Sequence, residues 1–226
     1  YQEHKWQPHV LPNDYNFTPY LDKMTKWNGY KISWSFMHTF DPEDKRLLTI
    51  ASEYTSKDGV VHNEKNDSQD PSAQLYLGAV PLKYEFDPDC TGEDSQIDWI
   101  IYRYADVLTL TAEAIVRNKN AVTKEAVDLL NEVRTRSLPG KGYSLQDLNS
   151  VDKFLKAVLD ERGWELYFEG NRRQDLIRYG IFVETIKKKA QSMGKQTLVD
   201  ENRHRFPIPQ SIIDEGKGVI EQNPGY

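Results

Sequence analysis

One cysteine in 226 residues excludes an internal disulfide, and Cys90 has no metal-ligand spacing around it. The five histidines, His4, His9, His38, His62 and His204, form no i,i+4 pair, and no serine or cysteine sits in a nucleophile-elbow context. Metal-dependent and nucleophilic catalysis therefore find no support. No apolar run approaches the roughly 18 residues that cross a bilayer as a helix. Nor is there a lysine- or arginine-rich face: the net charge is −6, and Lys187 to Lys189 is a short run at an expected helix end. That argues against a phosphate-backbone partner. No cofactor motif is present.

What the chain does have is periodicity between Asp98 and Gly180. Tyr104, Val107, Leu108, Thr111 and Ile115 recur at helical steps, as do Val122, Ala126, Leu129, Leu130 and Val133, with Thr123 placed as a cap. Phe154, Leu155, Val158, Leu159 and Leu166 mark a third helix, expected to end at Gly170. The first two have the length of a helical hairpin, and neither has enough apolar surface to stand alone. Residues 1–97 differ: they are rich in Pro, Asn, Asp, Gly and aromatics. Leu47 to Tyr54 and Ala79 to Phe86 are candidate paired strands, and the stretch around Asp58-Gly59 reads as an exposed loop. The fold class expected is mainly α, a helical region at 98–226 preceded by a loop-rich, few-stranded segment at 1–97.

The first segment is the candidate ligand platform. Trp6, Tyr20, Trp27, Asn28, Tyr30 and Trp34 are its candidate binding residues, Trp27 foremost, beside the flexible Asn28-Gly29. A pyranose ring lays its C–H face on an indole or phenol, and amides and carboxylates take its hydroxyls. The same rings serve equally well as the hydrophobic content of a subdomain poor in aliphatic residues.

Glu161, Glu165 and Glu169 are spaced four apart. A glycosidase would use two such carboxylates as acid and base, but catalytic pairs come from separate elements across a cleft. With Arg162, Arg172, Arg173, Asp175 and Arg178 nearby, a structural charge network is the better reading. Asp87 to Asp98 has oxygen-bearing side chains at EF-hand-like positions, with Asp87, Asp89 and Asp98 as calcium candidates. Asp94 at an ordinarily apolar position and the missing entering helix favour a solvated acidic turn.

The run Arg103-Tyr104-Ala105-Asp106-Val107-Leu108, then Ala112-Glu113-Ala114 and Leu130-Asn131-Glu132-Val133-Arg134, closely resembles the C-terminal region of the SusD/RagB family of outer-membrane nutrient-binding lipoproteins. Further matches are Glu161-Arg162, Glu165-Leu166, Phe168-Glu169-Gly170, Arg172, Asp175 to Arg178, Pro207-Ile208-Pro209 and Gln222 to Tyr226. The resemblance is strong over 98–226 and loose before it, where "FDPEDKR" is the main trace. It implies a tetratricopeptide-like helical hairpin and non-catalytic capture of an oligosaccharide at the outer-membrane surface. Delivery would be to a SusC-like TonB-dependent transporter, and a lipid anchor would lie outside this chain. Family members are longer, so this chain is expected to be a C-terminal portion whose hairpin shows an unexplained apolar face. A peptide-binding, RagB-like member is the alternative, and a glycoside hydrolase the more distant one.

Overall fold

The computed structural model describes residues 5–15 and 23–226. The chain divides into two compact units, residues 1–169 and 170–226, so the loop-rich segment and the first three long helices share one unit.

In the first unit, α1 (Trp6–Val10), α2 (Trp34–Met37) and the short strands β1 (Ile50–Ala51), β2 (Glu53–Thr55) and β3 (Val61–Asn63) come first. α3 (Glu64–Asp67), β4 (Val80–Pro81), α4 (Tyr104–Lys119), α5 (Lys124–Ser137) and α6 (Val151–Glu165) follow. The two candidate strand regions do pair, β1 antiparallel to β4 with Ile50 opposite Pro81. The pairing is much shorter than the sequence pattern: a 3-10 turn occupies Lys45–Thr49, where the Asp44 side chain accepts from the Arg46 N–H. The stretch around Asp58-Gly59 is not all loop. β2 and β3 form a hairpin there, and α3 follows. His62 anchors it, buried and stacked on Tyr54, its ring nitrogens 2.8 Å from Asp67 and 3.0 Å from Asp14.

The helical hairpin forms as its caps dictate. Thr123 Oγ1 accepts from the Ala126 N–H and Ser150 Oγ from the Lys153 N–H, opening α5 and α6. Asn120, at φ 48°, closes α4. Ala112, Val116, Ala126, Leu130, Phe154 and Val158 form the core between the three helices. On α4 the buried stripe is rotated from the expected one: Leu108, Thr109, Ala112 and Val116 face inward, while Tyr104 and Val107 are 67% and 54% exposed. The expected apolar stripe is therefore partly the outer face, which continues into the exposed Ile101 and Tyr102. Helix α4 also starts later than the periodicity suggests. Residues 98–103 are irregular because Trp99 and Arg103 are drawn into contacts described below.

The second unit contains α7 (Arg172–Arg178), α8 (Phe182–Ser192) and α9 (Gln210–Glu215) around Leu176, Phe182 and Val183. Its proline-rich tail is clamped to itself. The Gln222 amide accepts from the Ile208 N–H and donates to the Ile208 carbonyl, at 2.7 and 2.9 Å. Among the described residues no helix is long and apolar enough to cross a membrane.

Candidate functional site

The aromatic residues of the first segment converge because the backbone of 27–30 finishes α1. The N–H groups of Gly29 and Tyr30 donate to the His9 carbonyl, that of Trp27 to Pro8 and that of Asn28 to Leu11. These bonds satisfy carbonyls a short helix would otherwise leave open. Asn28 adopts the left-handed conformation, φ 52°, and its side-chain amide donates to the Gln74 carbonyl. It shapes the turn on which Trp27 and Tyr30 are displayed.

Trp6 is the centre of the ring cluster. It stacks on Tyr30 at 5.2 Å and 28°, meets Trp99 edge-on at 4.7 Å and rests on Phe168 at 4.7 Å. Tyr84 lies flat on Trp99, 17° from parallel, and His9 packs against Trp27. Lys5, Trp6, His9, Tyr30 and Trp99 line an open cleft of about 310 Å³. Trp27 and Tyr30 are 47% and 49% exposed beside it. Exposed rings next to an imidazole and an ammonium offer both halves of a sugar contact, C–H stacking and hydroxyl hydrogen bonds.

Of the six candidate binding residues, Trp6, Trp27 and Tyr30 come together with Asn28 in their turn. Tyr20 lies outside the described residues. Trp34 is placed elsewhere: its indole N–H donates to the Leu75 carbonyl and its ring packs on the core, along a separate open groove that also holds Met37 and Glu53. Trp99, His9 and Tyr84 are members that the sequence did not single out. Trp99 was hidden in a run that reads as the start of α4.

The carboxylate row is buried and fully engaged. Glu161 and Glu165 lie on α6, but the helix ends there. Phe168 and Gly170 take positive φ, and Glu169 rejoins the row from the turn. Arg46 grips Asp44 with two nitrogens and donates to Glu161 at 2.6 Å and Glu165 at 3.1 Å. Arg103 donates to Glu165 at 2.6 Å and to both Glu169 oxygens, while Lys83 pairs with Glu169. Arg134 holds Glu161 and Arg136 holds Glu165.

Burial pushes the Glu161 carboxyl above its ordinary value, against the pull of Arg46 and Arg134. At Glu165 burial acts the same way but is outweighed by Arg103, Arg136 and Arg46, and the carboxyl falls below its ordinary value. Burial draws Lys83 down to about 8 despite Glu169. These groups lock loops to helix, and neither Glu161 nor Glu165 faces a cleft as a proton donor or acceptor would need to.

Arg46, Arg103, Arg134 and Arg136 lie outside the set that the sequence placed nearby. Arg162 instead joins α6 to α4, donating to Asp106 at 2.6 Å and to Thr109. Arg172 opens α7, and Asp175 accepts from Arg178 within that helix. Long-range arginines do the neutralising because burial at the helix junction admits side chains from three separate segments.

In the acidic turn, Asp87 is buried with its oxygens accepting from the N–H groups of Asp89 and Gln96, while Asp89 and Asp98 are exposed. Among the described residues no cluster of three His, Cys, Asp or Glu side chains forms a metal site. Burial raises the Cys90 thiol pKa, which disfavours the reactive thiolate.

Comparison with known proteins gives a consistent placement. The family model of the SusD family matches residues 4–226. SusD-like protein P2 of Formosa agariphila is 27% identical over 209 residues, covering 88% of this chain and 41% of that protein. Starch-binding protein SusD of Bacteroides thetaiotaomicron is 31% identical over 131 residues, covering 56% of this chain and 21% of that one. A solved SusD homolog from Bacteroides thetaiotaomicron superposes with a TM-score of 0.66 at 27% identity, over 85% of this chain and 43% of that one. The chain thus spans less than half the length of these relatives.

Proposed function

Because the chain belongs to the SusD family, we propose that it captures an oligosaccharide or polysaccharide at the cell surface and breaks no bond in it. The observation that carries this reading is the cleft lined by Trp6, Tyr30 and Trp99, with Trp27 exposed beside it. Ring stacking supplies the affinity, and His9, Lys5 and neighbouring backbone groups supply hydroxyl partners. The relatives' names support a glycan as the ligand: one is a starch-binding protein. The buried, arginine-saturated Glu161 and Glu165 favour binding over hydrolysis. In the proposed setting the protein lies on the outer face of an outer membrane, held by a lipid anchor. There it passes glycan to a SusC-like TonB-dependent transporter.

Isothermal titration against plant, host and microbial polysaccharides tests the reading. Saturable binding to one glycan class is expected, and Trp27→Ala and Trp99→Ala are each expected to weaken it about tenfold, the scale of losing one well-packed aromatic contact. Unchanged affinity in both variants would remove the cleft from the function, and silence across the panel would favour a peptide ligand.

A further inference from the structure

Aromatic faces stack on any pyranose, so what separates glycan classes at this cleft is charge. Among the described lining residues Lys5 is the one lysine or arginine, and Glu93 already holds its ammonium at 2.9 Å. Glu93 and, with it, Asp94 keep that ammonium above its ordinary pKa. Both belong to the loop that runs into Trp99, where Asp89 and Asp98 are exposed as well. Other cations in the surrounding segments are engaged: Lys31 donates to the Val10 carbonyl, and Lys83 and Arg103 pair with Glu169. Lys23, whose carbonyl accepts from Gly92, adds a single cation beside that acidic loop. Residues 1–169 carry 19 Lys and Arg against 28 Asp and Glu.

Resting on the glycan reading above, we propose that the cleft takes an uncharged glycan and rejects chains bearing uronate or sulfate, with Glu93 as the residue that sets this choice by occupying Lys5. A carboxylate or sulfate laid over Trp6 and Trp99 meets the field of Glu93 and Asp94 and gains a counter-charge only by displacing Glu93 from Lys5. A hydroxymethyl group in the same place faces no such conflict.

The test is calorimetric titration of the protein with paired oligosaccharides of one linkage that differ only at C6, hydroxymethyl against carboxylate, such as mannan and mannuronan oligomers. It is run at low and high salt. The neutral member is expected to bind at least about tenfold more tightly at low salt, the gap narrowing as salt screens the exposed carboxylates. In Glu93→Gln, where the Lys5 charge is released, the gap is expected to shrink to about threefold or less. Equal or tighter binding of the uronate by the unaltered protein overturns the charge rule alone, as does an unchanged gap in Glu93→Gln. Failure of both members across several linkages instead overturns the glycan reading, and this inference with it.

Discussion

Arg46→Met is expected to destabilise the protein by about 3–5 kcal/mol in a denaturant titration, the range for breaking a buried ion pair from one side. The guanidinium is 8% exposed and serves Asp44, Glu161 and Glu165 together. Its removal strands carboxylates that cannot reach water. Arg136→Met removes a charge that also bonds Glu165, but from a side chain 60% exposed. It should cost no more than about 1 kcal/mol. Adding Glu161→Gln to Arg46→Met should recover part of the loss, because the stranded charge goes with it.

The deficit should also depend on pH. Glu161 has its folded pKa raised, so its contribution to stability is full below the ordinary carboxylate value and is lost as pH rises through the folded one. Losing Arg46 raises that pKa further, which makes the deficit larger at pH 8 than at pH 5. Glu165 has the opposite sign, contributing above the ordinary value and losing that contribution as pH falls, but Arg103 and Arg136 still hold it. A deficit under about 1 kcal/mol at pH 8 would show that the network adds little.

Gly78→Ala is expected to be strongly damaging. Gly78 has φ 146°, and an added Cβ would lie 1.9 Å from the Ile32 carbonyl oxygen, a backbone atom with nowhere to swing. That carbonyl accepts from the Ala79 N–H at 2.8 Å, and the Ile32 N–H donates back to Ala79. Both residues are buried. Relief of the clash breaks the bridge that fixes the segment carrying Trp27 and Tyr30, at a cost above about 3 kcal/mol. Gly59→Ala is the control: φ is 80°, but nothing lies within 4 Å of the new Cβ. Its cost should be near 1 kcal/mol. Hydrogen exchange at Ile32 and Ala79, compared with an amide in α5, reads the difference. Full protection at both in Gly78→Ala would contradict the argument.

The helices were legible in the sequence wherever local rules decide them. Thr123 caps as its position indicates, and Ala126, Leu130, Phe154 and Val158 are buried as their spacing requires. On α4 the spacing pointed to the face of Tyr104, Val107 and Leu108, whereas packing against α5 and α6 buries Leu108, Ala112 and Val116 and leaves Tyr104 and Val107 outside. The candidate cleft was half legible. Trp6, Trp27 and Tyr30 lie close in sequence, but Trp99 reaches them across a long separation that no local pattern records. The same holds for the ion network. The carboxylates announce themselves by their four-residue step, while Arg46 lies 115 residues from Glu161.

Phe168 connects these two features. Its φ of 63° is uncommon for a bulky residue and costs about 1 kcal/mol or more. The ion pairs of Glu165 and Glu169 on either side hold the backbone there, and the ring is thereby pressed under Trp6. The cleft wall is thus preorganised. The backbone beneath Trp6 is held by buried charge, so under the proposed glycan binding little conformational entropy would be lost at that wall.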